Sequence, residues 1–271
     1  MVGSVNTNVS AQVALTSLNV TGTQLSQVQK RISTGLNVSD AFDNGAVFAI
    51  AQGLRSDVAA AGAVNGQLGA AKGLLQVANA AGTGVSNTLS DIRSVLVQLA
   101  DQNVTGNART QLNAQYATLK TAVTNYISGA TYNGANILSS GAQNKAVIQD
   151  ISANQYTVQA QDLTANVTAL LTNVTDATGA ATLLTTSFAS AQNFVGTALN
   201  AIASNANFIN NQITFNNAFT DATTQGLGAL VDADLAKESA RLQSLQIKQQ
   251  LGTQSLGIAN QAPQTLLGLF R

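Results

Sequence analysis

Residues 61–99, AGAVNGQLGAAKGLLQVANAAGTGVSNTLSDIRSVLVQL, decide the fold. Stepping by three and four from Ala61, the chain places Val64, Leu68, Ala71, Leu75, Ala78, Gly82, Val85, Leu89, Ile92, Leu96 and Leu99 in series, with no polar residue among the twelve. Such a series is a heptad seam, the signature of a helix that buries one stripe along its whole length. At 1.5 Å per residue the helix would run for about 58 Å, roughly twice the width of a small domain. A seam of this length predicts a rod rather than a surface helix of a compact α-domain. The single proline in 271 residues, where about 5% is usual, agrees with long uninterrupted helices.

Working outward, DQNVTGN at 101–107 interrupts the pattern with turn residues. A second seam follows through Leu112, Tyr116, Leu119, Val123 and Tyr126, and the short loop between the two implies an antiparallel helical hairpin. Asn133-Gly134 is a tight-turn signal, and Tyr156 and Val158 alternate with polar neighbours, so residues 130–160 are expected to form a small β-rich insertion. From about Asp176 the helical period returns through Phe188, Ala191, Val195, Leu199, Ile202, Ala206, Ile209 and Ile213. The fold expected is mainly α: an elongated antiparallel helical bundle or coiled-coil rod with a β-rich insertion.

Composition narrows the function. The chain has 45% hydrophobic but only 9% charged residues, with twelve basic against twelve acidic. The absence of a basic block removes the electrostatic footprint needed for nucleic acid or anionic lipid. A net charge near zero also favours association over monomer repulsion. With no Cys and no His, thiol, zinc, iron-sulfur and Ser-His chemistry are excluded, and no acidic cluster suggests an all-oxygen metal site. No catalytic residue, cofactor or metal is expected. The first Lys is Lys30 and the N-terminus has no continuous apolar run, so a Sec signal is not expected; no stretch is apolar enough for a membrane span.

The two ends differ from the middle. At about 100° per residue, Val5, Val9, Val13 and Val20 share one stripe, while Leu18, Leu25, Val28, Ile32 and Leu36 lie nearly opposite. Near the C-terminus, Leu235, Leu242, Leu245, Leu256, Ala259, Leu266, Leu267 and Phe270 form one stripe, and Ile247, Leu251, Ile258 and Leu269 a second. Pairing the two helices buries one stripe of each and leaves the others wet, which predicts that further chains cover them. Pro263 is expected to adjust or restart the last helical turns so that Leu266, Leu267, Leu269 and Phe270 face neighbours.

At the residue level the sequence resembles the bacterial flagellins. Residues 227–271, LGALVDADLAKESARLQSLQIKQQLGTQSLGIANQAPQTLLGLFR, are similar to that family's C-terminal segment. Residues 29–51, QKRISTGLNVSDAFDNGAVFAIA, resemble its RLSSGLRINSAKDDAA region. The stretch at about 140–180 is the least similar. The resemblance implies a structural subunit of the flagellar filament, with residues 1–43 and 232–271 as an inner coiled-coil domain and 44–231 as an outer helical rod domain. It implies self-assembly into a helical polymer, export by the flagellar type III apparatus with a chaperone on the C-terminal segment, and contact with cap and hook-filament junction proteins. Its location would be the extracellular filament. A hook-filament junction protein shares the terminal design and is the alternative.

Smaller signals complete the expectations. Gly35, Ser39, Asp40, Asp43 and Gly45 resemble the linker between the two domains; Ser39 or Asp40 would cap the next helix and Gly45 would relieve the turn. Lys237, Glu238 and Arg241 have helical spacing and are expected on a solvated face. Six N-x-[ST] tripeptides, beginning at Asn8, Asn19, Asn37, Asn103, Asn166 and Asn173, are mostly chance matches in a chain rich in these residues, with N-linked modification as the minor alternative. In the helix region sensed by an innate receptor in many flagellins, Arg93 matches but Asp91 departs from the basic residue expected.

Overall fold

The computed structural model describes the backbone of residues 7–268 and the side chains of residues 7–261. Its helices are α1 (Val9–Thr34), α2 (Gly45–Leu99), α3 (Gly106–Gly129), α4 (Ala177–Thr185), α5 (Ser187–Val231) and α6 (Leu235–Gly268). Between α3 and α4 lie strands β1 (Lys145–Ile148) and β2 (Gln155–Val158) and a π-helical turn, Thr164–Thr168. The chain divides into two compact units, residues 57–221 and residues 1–56 with 222–271.

In the central unit the seam holds along its full length. All twelve positions from Ala61 to Leu99 are buried, and the apolar side chains from Val64 to Leu99 join Phe188, Ala191, Val195, Ile202 and Ile209 of α5 in one continuous core. Leu199, Ala206 and Ile213 pack against the same core half-buried. Gly82 meets Leu199 and the Asn65 side chain donates to Asn217 Oδ1 at 2.8 Å, so α2 and α5 run antiparallel. Each large apolar side chain sealed in this core contributes about 1.5–3 kcal/mol relative to exposure.

α3 packs on α2 through Tyr116, Val123 and Ile127, with Leu112 and Leu119 half-buried. The expected step to Tyr126 is corrected here: Ile127 takes the buried position and Tyr126 stays 46% exposed. The ring of Tyr126 lies instead across Gly84 of α2, where a Cβ would come within 2.9 Å of Cδ1. Tyr116 donates its hydroxyl to the Thr172 carbonyl at 2.8 Å, and burial pushes its pKa up to about 12. The turn between α2 and α3 is held by Arg109, whose guanidinium donates to the carbonyls of Leu99, Asp101 and Val104. One cation thus engages the last carbonyl of α2, which has no helical partner, and two carbonyls of the turn that follows.

The insertion is a hairpin, β1 antiparallel to β2 with Lys145 opposite Val158 and Ile148 opposite Gln155. Before it, Asn133 and Gly134 both have positive φ, 47° and 74°, and Tyr132 and Ala135 exchange backbone hydrogen bonds, the geometry of a type I′ turn. Val158 is buried, while Tyr156 stacks on Phe208 at 3.9 Å and donates its hydroxyl to Asn205 Oδ1. The hairpin is therefore fastened to α5. The π-helical turn was not expected, and the helix expected from Asp176 is two: Asp176 caps α4, whose run ends at Thr186 before α5 begins.

Candidate functional site

Among the described residues the terminal unit brings together no group of metal-ligating side chains; what it offers is surface. α1 begins at an Asn8 cap, whose side-chain oxygen accepts from Ala11 N, and ends at Gly35 in the left-handed conformation, φ 72°. α6 begins at Asp234, whose carboxylate accepts from the backbone N–H groups of Ala236 and Lys237. The two helices pair antiparallel. Asn8 donates to the Ala259 carbonyl at 2.6 Å, Leu18 closes over Gly252, and Arg31 Nη1 meets Glu238 Oε1 at 3.2 Å.

This pairing sorts the two stripes of each helix. On α1, Val28 is buried and Leu18, Leu25 and Ile32 are half-buried, whereas Val9 and Val13 are each 64% exposed and Val20 is 52% exposed. On α6, Leu245 is buried and Leu242 and Leu256 are half-buried, while Ile247, Leu251 and Ile258 stand 57%, 56% and 71% exposed. Leu235 departs from its expected stripe: it is exposed in the first turn, and Glu238 takes the inward place one turn later. Val5 and Phe270 lie outside the described residues, as do the side chains of Pro263, Leu266 and Leu267. The backbone of α6 continues as helix through Pro263 to Gly268, so of the adjustment or restart expected at the proline, a restart is not found.

Glu238 also corrects the expectation of a solvated face at 237–241. Lys237 and Arg241 are exposed, but Glu238 is buried and pairs with Arg31 on the other terminal helix. The pair meets at one point, leaving Arg31 Nε and Glu238 Oε2 buried without hydrogen-bond partners. Removal of either partner strands the other, which is the costly way to disturb a buried ion pair.

Between α1 and α2 the chain is tied to residues 231–233. Asn37 N donates to Val231 O at 2.7 Å and Ala233 N to Gly35 O at 2.9 Å, and Leu36 and Asp232 form a bridge. Val38, Ala51 and Val231 make a small core with Leu36, Val47, Phe48 and Leu227 around it. Next to this core sits a clasp. Lys30 Nζ donates to Asp40 Oδ2 at 2.6 Å and to both Asp43 oxygens at 3.0 Å. Asp43 also accepts from the backbone N–H and hydroxyl of Ser39. The Lys30 hydrogen bond, aided by those from Ser39, holds the Asp43 carboxyl well below the usual range; Lys30 likewise lowers Asp40, and the two carboxylates, Asp40 first, raise Lys30.

The clasp revises the expected capping. Ser39 and Asp40 are occupied in the turn, and the N-cap of α2 is Asn44, whose Oδ1 accepts from Val47 N at 3.1 Å. Gly45 is not a positive-φ position and simply begins the helix. The clasp had a signal in the sequence: in a chain with 9% charged residues, Lys30, Arg31, Asp40 and Asp43 fall within fourteen positions. Among the described residues no group of acidic side chains could hold a metal ion, and no helix is long and apolar enough to cross a membrane.

Two family models match the chain. One, described as the bacterial flagellin N-terminal helical region, covers residues 5–144, and the other, the bacterial flagellin C-terminal helical region, covers residues 178–270. The stretch they leave, 145–177, holds β1, β2 and the π-helical turn. Flagellin FljM of Caulobacter vibrioides is 35% identical over 273 residues, spanning 99% of this chain and 98% of the relative. Flagellin FljO of the same organism is 36% identical with the same coverage, and the flagellin of Brucella melitensis biotype 1 is 35% identical over 99% of both chains. Two matched end regions, relatives of nearly equal length and a bundle of antiparallel helices agree: the chain belongs to the bacterial flagellin family.

Proposed function

We infer that this chain is the structural subunit of a helical bacterial flagellar filament used for swimming motility, working outside the cell. Family membership supports the filament role, and every relative named above is itself a flagellin. No observation favours the hook-filament junction alternative.

One observation carries the mechanism: the paired terminal helices leave Val9, Val13 and Val20 on one side and Ile247, Leu251 and Ile258 on the other without cover. Apolar rows of this kind find their burial in other copies of the chain. The helix pair is then only half stabilised in the monomer and gains the rest on assembly, so folding of this unit and polymerisation are coupled. A contact between unlike surfaces that does not close into a ring extends as a helix of subunits. The terminal unit is the polymerisation domain, with residues 1–43 and 232–271 as its coiled-coil part. The compact unit reaches further, to 56 and from 222, because Ala51, Leu227 and Val231 share the core at the linker. Passage through the type III apparatus, a chaperone on α6, and contacts with cap and junction proteins belong to the same proposal.

The test is seeded polymerisation of the purified chain, followed by sedimentation and negative-stain microscopy. Helical filaments are expected. A chain that remains monomeric with seeds and precipitant across conditions would refute the proposal.

A further inference from the structure

Phe42 is 100% exposed. Its surroundings make that unusual. Leu36, Val38, Val47 and Phe48 on either side are all drawn into the small core at the linker, so the fold buries the neighbouring apolar residues and leaves this one out. The chain has only eight Phe, four Tyr and no Trp, and full exposure of one aromatic brings the monomer no stability.

The turn that carries Phe42 is rigid. Its own N–H donates to Asp40 Oδ1 at 2.9 Å, and the same oxygen accepts from Asp43 N at 3.2 Å. Ser39 closes on Asp43 through backbone and hydroxyl, and Lys30 ties both carboxylates back to α1. The two carboxylates of the clasp thus hold backbone N–H groups on both sides of one apolar ring. An aromatic held in place before binding loses little freedom when it docks, which is the condition under which a single side chain dominates an interface.

We propose that Phe42 is an aromatic anchor between subunits, inserted into an apolar surface of a second copy of this chain in the polymer. The proposal rests on the filament reading above. A second copy is the occupant because Phe42 belongs to the terminal unit, the same unit whose bare stripes on α1 and α6 require cover from other copies. The charge around it gives a partner of opposite sign little to grip: Lys30 offsets one of the two carboxylates, Asp40 and Asp43, and both are already engaged by it. The clasp therefore acts as a positioning device, and the ring supplies the contact.

Two variants of the full-length chain test this. Because the chain has no Trp, Phe42→Trp places a single indole at the site. Its emission is expected at the solvent-exposed wavelength in the monomer and shifted to shorter wavelength, with loss of quenching by iodide, in seeded filaments. Phe42→Ala is expected to raise the critical concentration for polymerisation about tenfold, with the monomer's circular dichroism and melting unchanged. Filaments of Phe42→Trp with unshifted indole emission, and an unchanged critical concentration for Phe42→Ala, would overturn the inference, while wild-type filaments in the same conditions leave the filament reading intact. Emission that shifts in the monomer when a foreign helical protein is added, but not in filaments, would overturn it in favour of that other occupant. A wild-type chain that fails to polymerise defeats the filament reading itself.

Discussion

The seam of α2 and the outer stripe of α1 are both rows of small and branched apolar residues on long helices, yet they end in opposite states. From Ala61 to Leu99 every seam residue is buried, and from Val64 on the seam shares one core with α3, α5 and the hairpin. On α1, Val9, Val13 and Val20 face water, as do Ile247, Leu251 and Ile258 on α6. The difference is one of partners, because the central unit brings three long helices and a hairpin to one core, while the terminal unit brings two helices to four apolar stripes. The central unit is complete as a monomer. We propose that the terminal unit is completed only by other copies of the chain.

The largest expected effect breaks that comparison outright. Deleting residues 235–271 removes α6, and filaments are expected to disappear while the central unit keeps its helical circular dichroism and cooperative unfolding; filaments from the truncated chain would contradict the role given to the stripes. Next, Leu96→Ala in the central core is expected to cost about 2–5 kcal/mol of stability in denaturant unfolding, because Leu96 is fully buried. Ile258→Ser on the bare stripe of α6 is expected to change monomer stability by no more than about 0.5 kcal/mol and yet weaken polymerisation. Similar losses of monomer stability at both positions would show that Ile258 is already covered within the chain.

A third, intermediate effect concerns the ion pair. Glu238→Ala leaves Arg31 with no partner at the α1–α6 contact, and a loss of about 3 kcal/mol from the terminal unit is expected. Replacing both, Arg31→Met with Glu238→Leu, is expected to recover most of it, as thermal unfolding of the single and double variants would reveal.

The smallest effects follow pH. Asp40 and Asp43 are held below their ordinary values, so the stability they confer is present above about pH 4 and is lost as pH falls further through their folded values. Lys30 is raised, so its contribution is complete below about pH 10 and fades as pH rises past its folded value. Protease cleavage of the 39–43 turn is therefore expected to be flat from about pH 5 to 9 and to rise at the acid end. Tyr116, raised to about 12, makes the central unit lose stability as pH climbs from about 10 towards that value; Tyr116→Phe is expected to flatten that loss.

Much of this was legible in the sequence, because strict periods survive folding. The α2 seam, the Asn133-Gly134 turn and the two-striped ends each rest on a local pattern that tertiary contacts had no reason to override. The misses have physical causes. Tyr126 and Ile127 are adjacent apolar residues that both fit the period of α3, and the space over the bare backbone of Gly84, where the Tyr126 ring lies half-exposed, is set by a residue of another helix. Ser39, Asp40, Asp43 and Asn44 are all competent helix caps, and the cation that engages two of them, Lys30, comes from the preceding helix. Arg31 and Glu238 are 207 positions apart, a pairing that no local period records. The two stripes of α1 showed that something must cover it, but not which stripe α6 would take.

Hydrogen exchange, compared residue by residue between monomer and filament, tests the central claim most directly. Protection of α2, α3 and α5 within residues 57–221 is expected to be high and equal in both states. Amides of α1 and α6 are expected to exchange readily in the monomer and to become protected in the filament. Terminal helices already protected in the monomer to the same degree as in the filament would contradict the coupling of their folding to assembly.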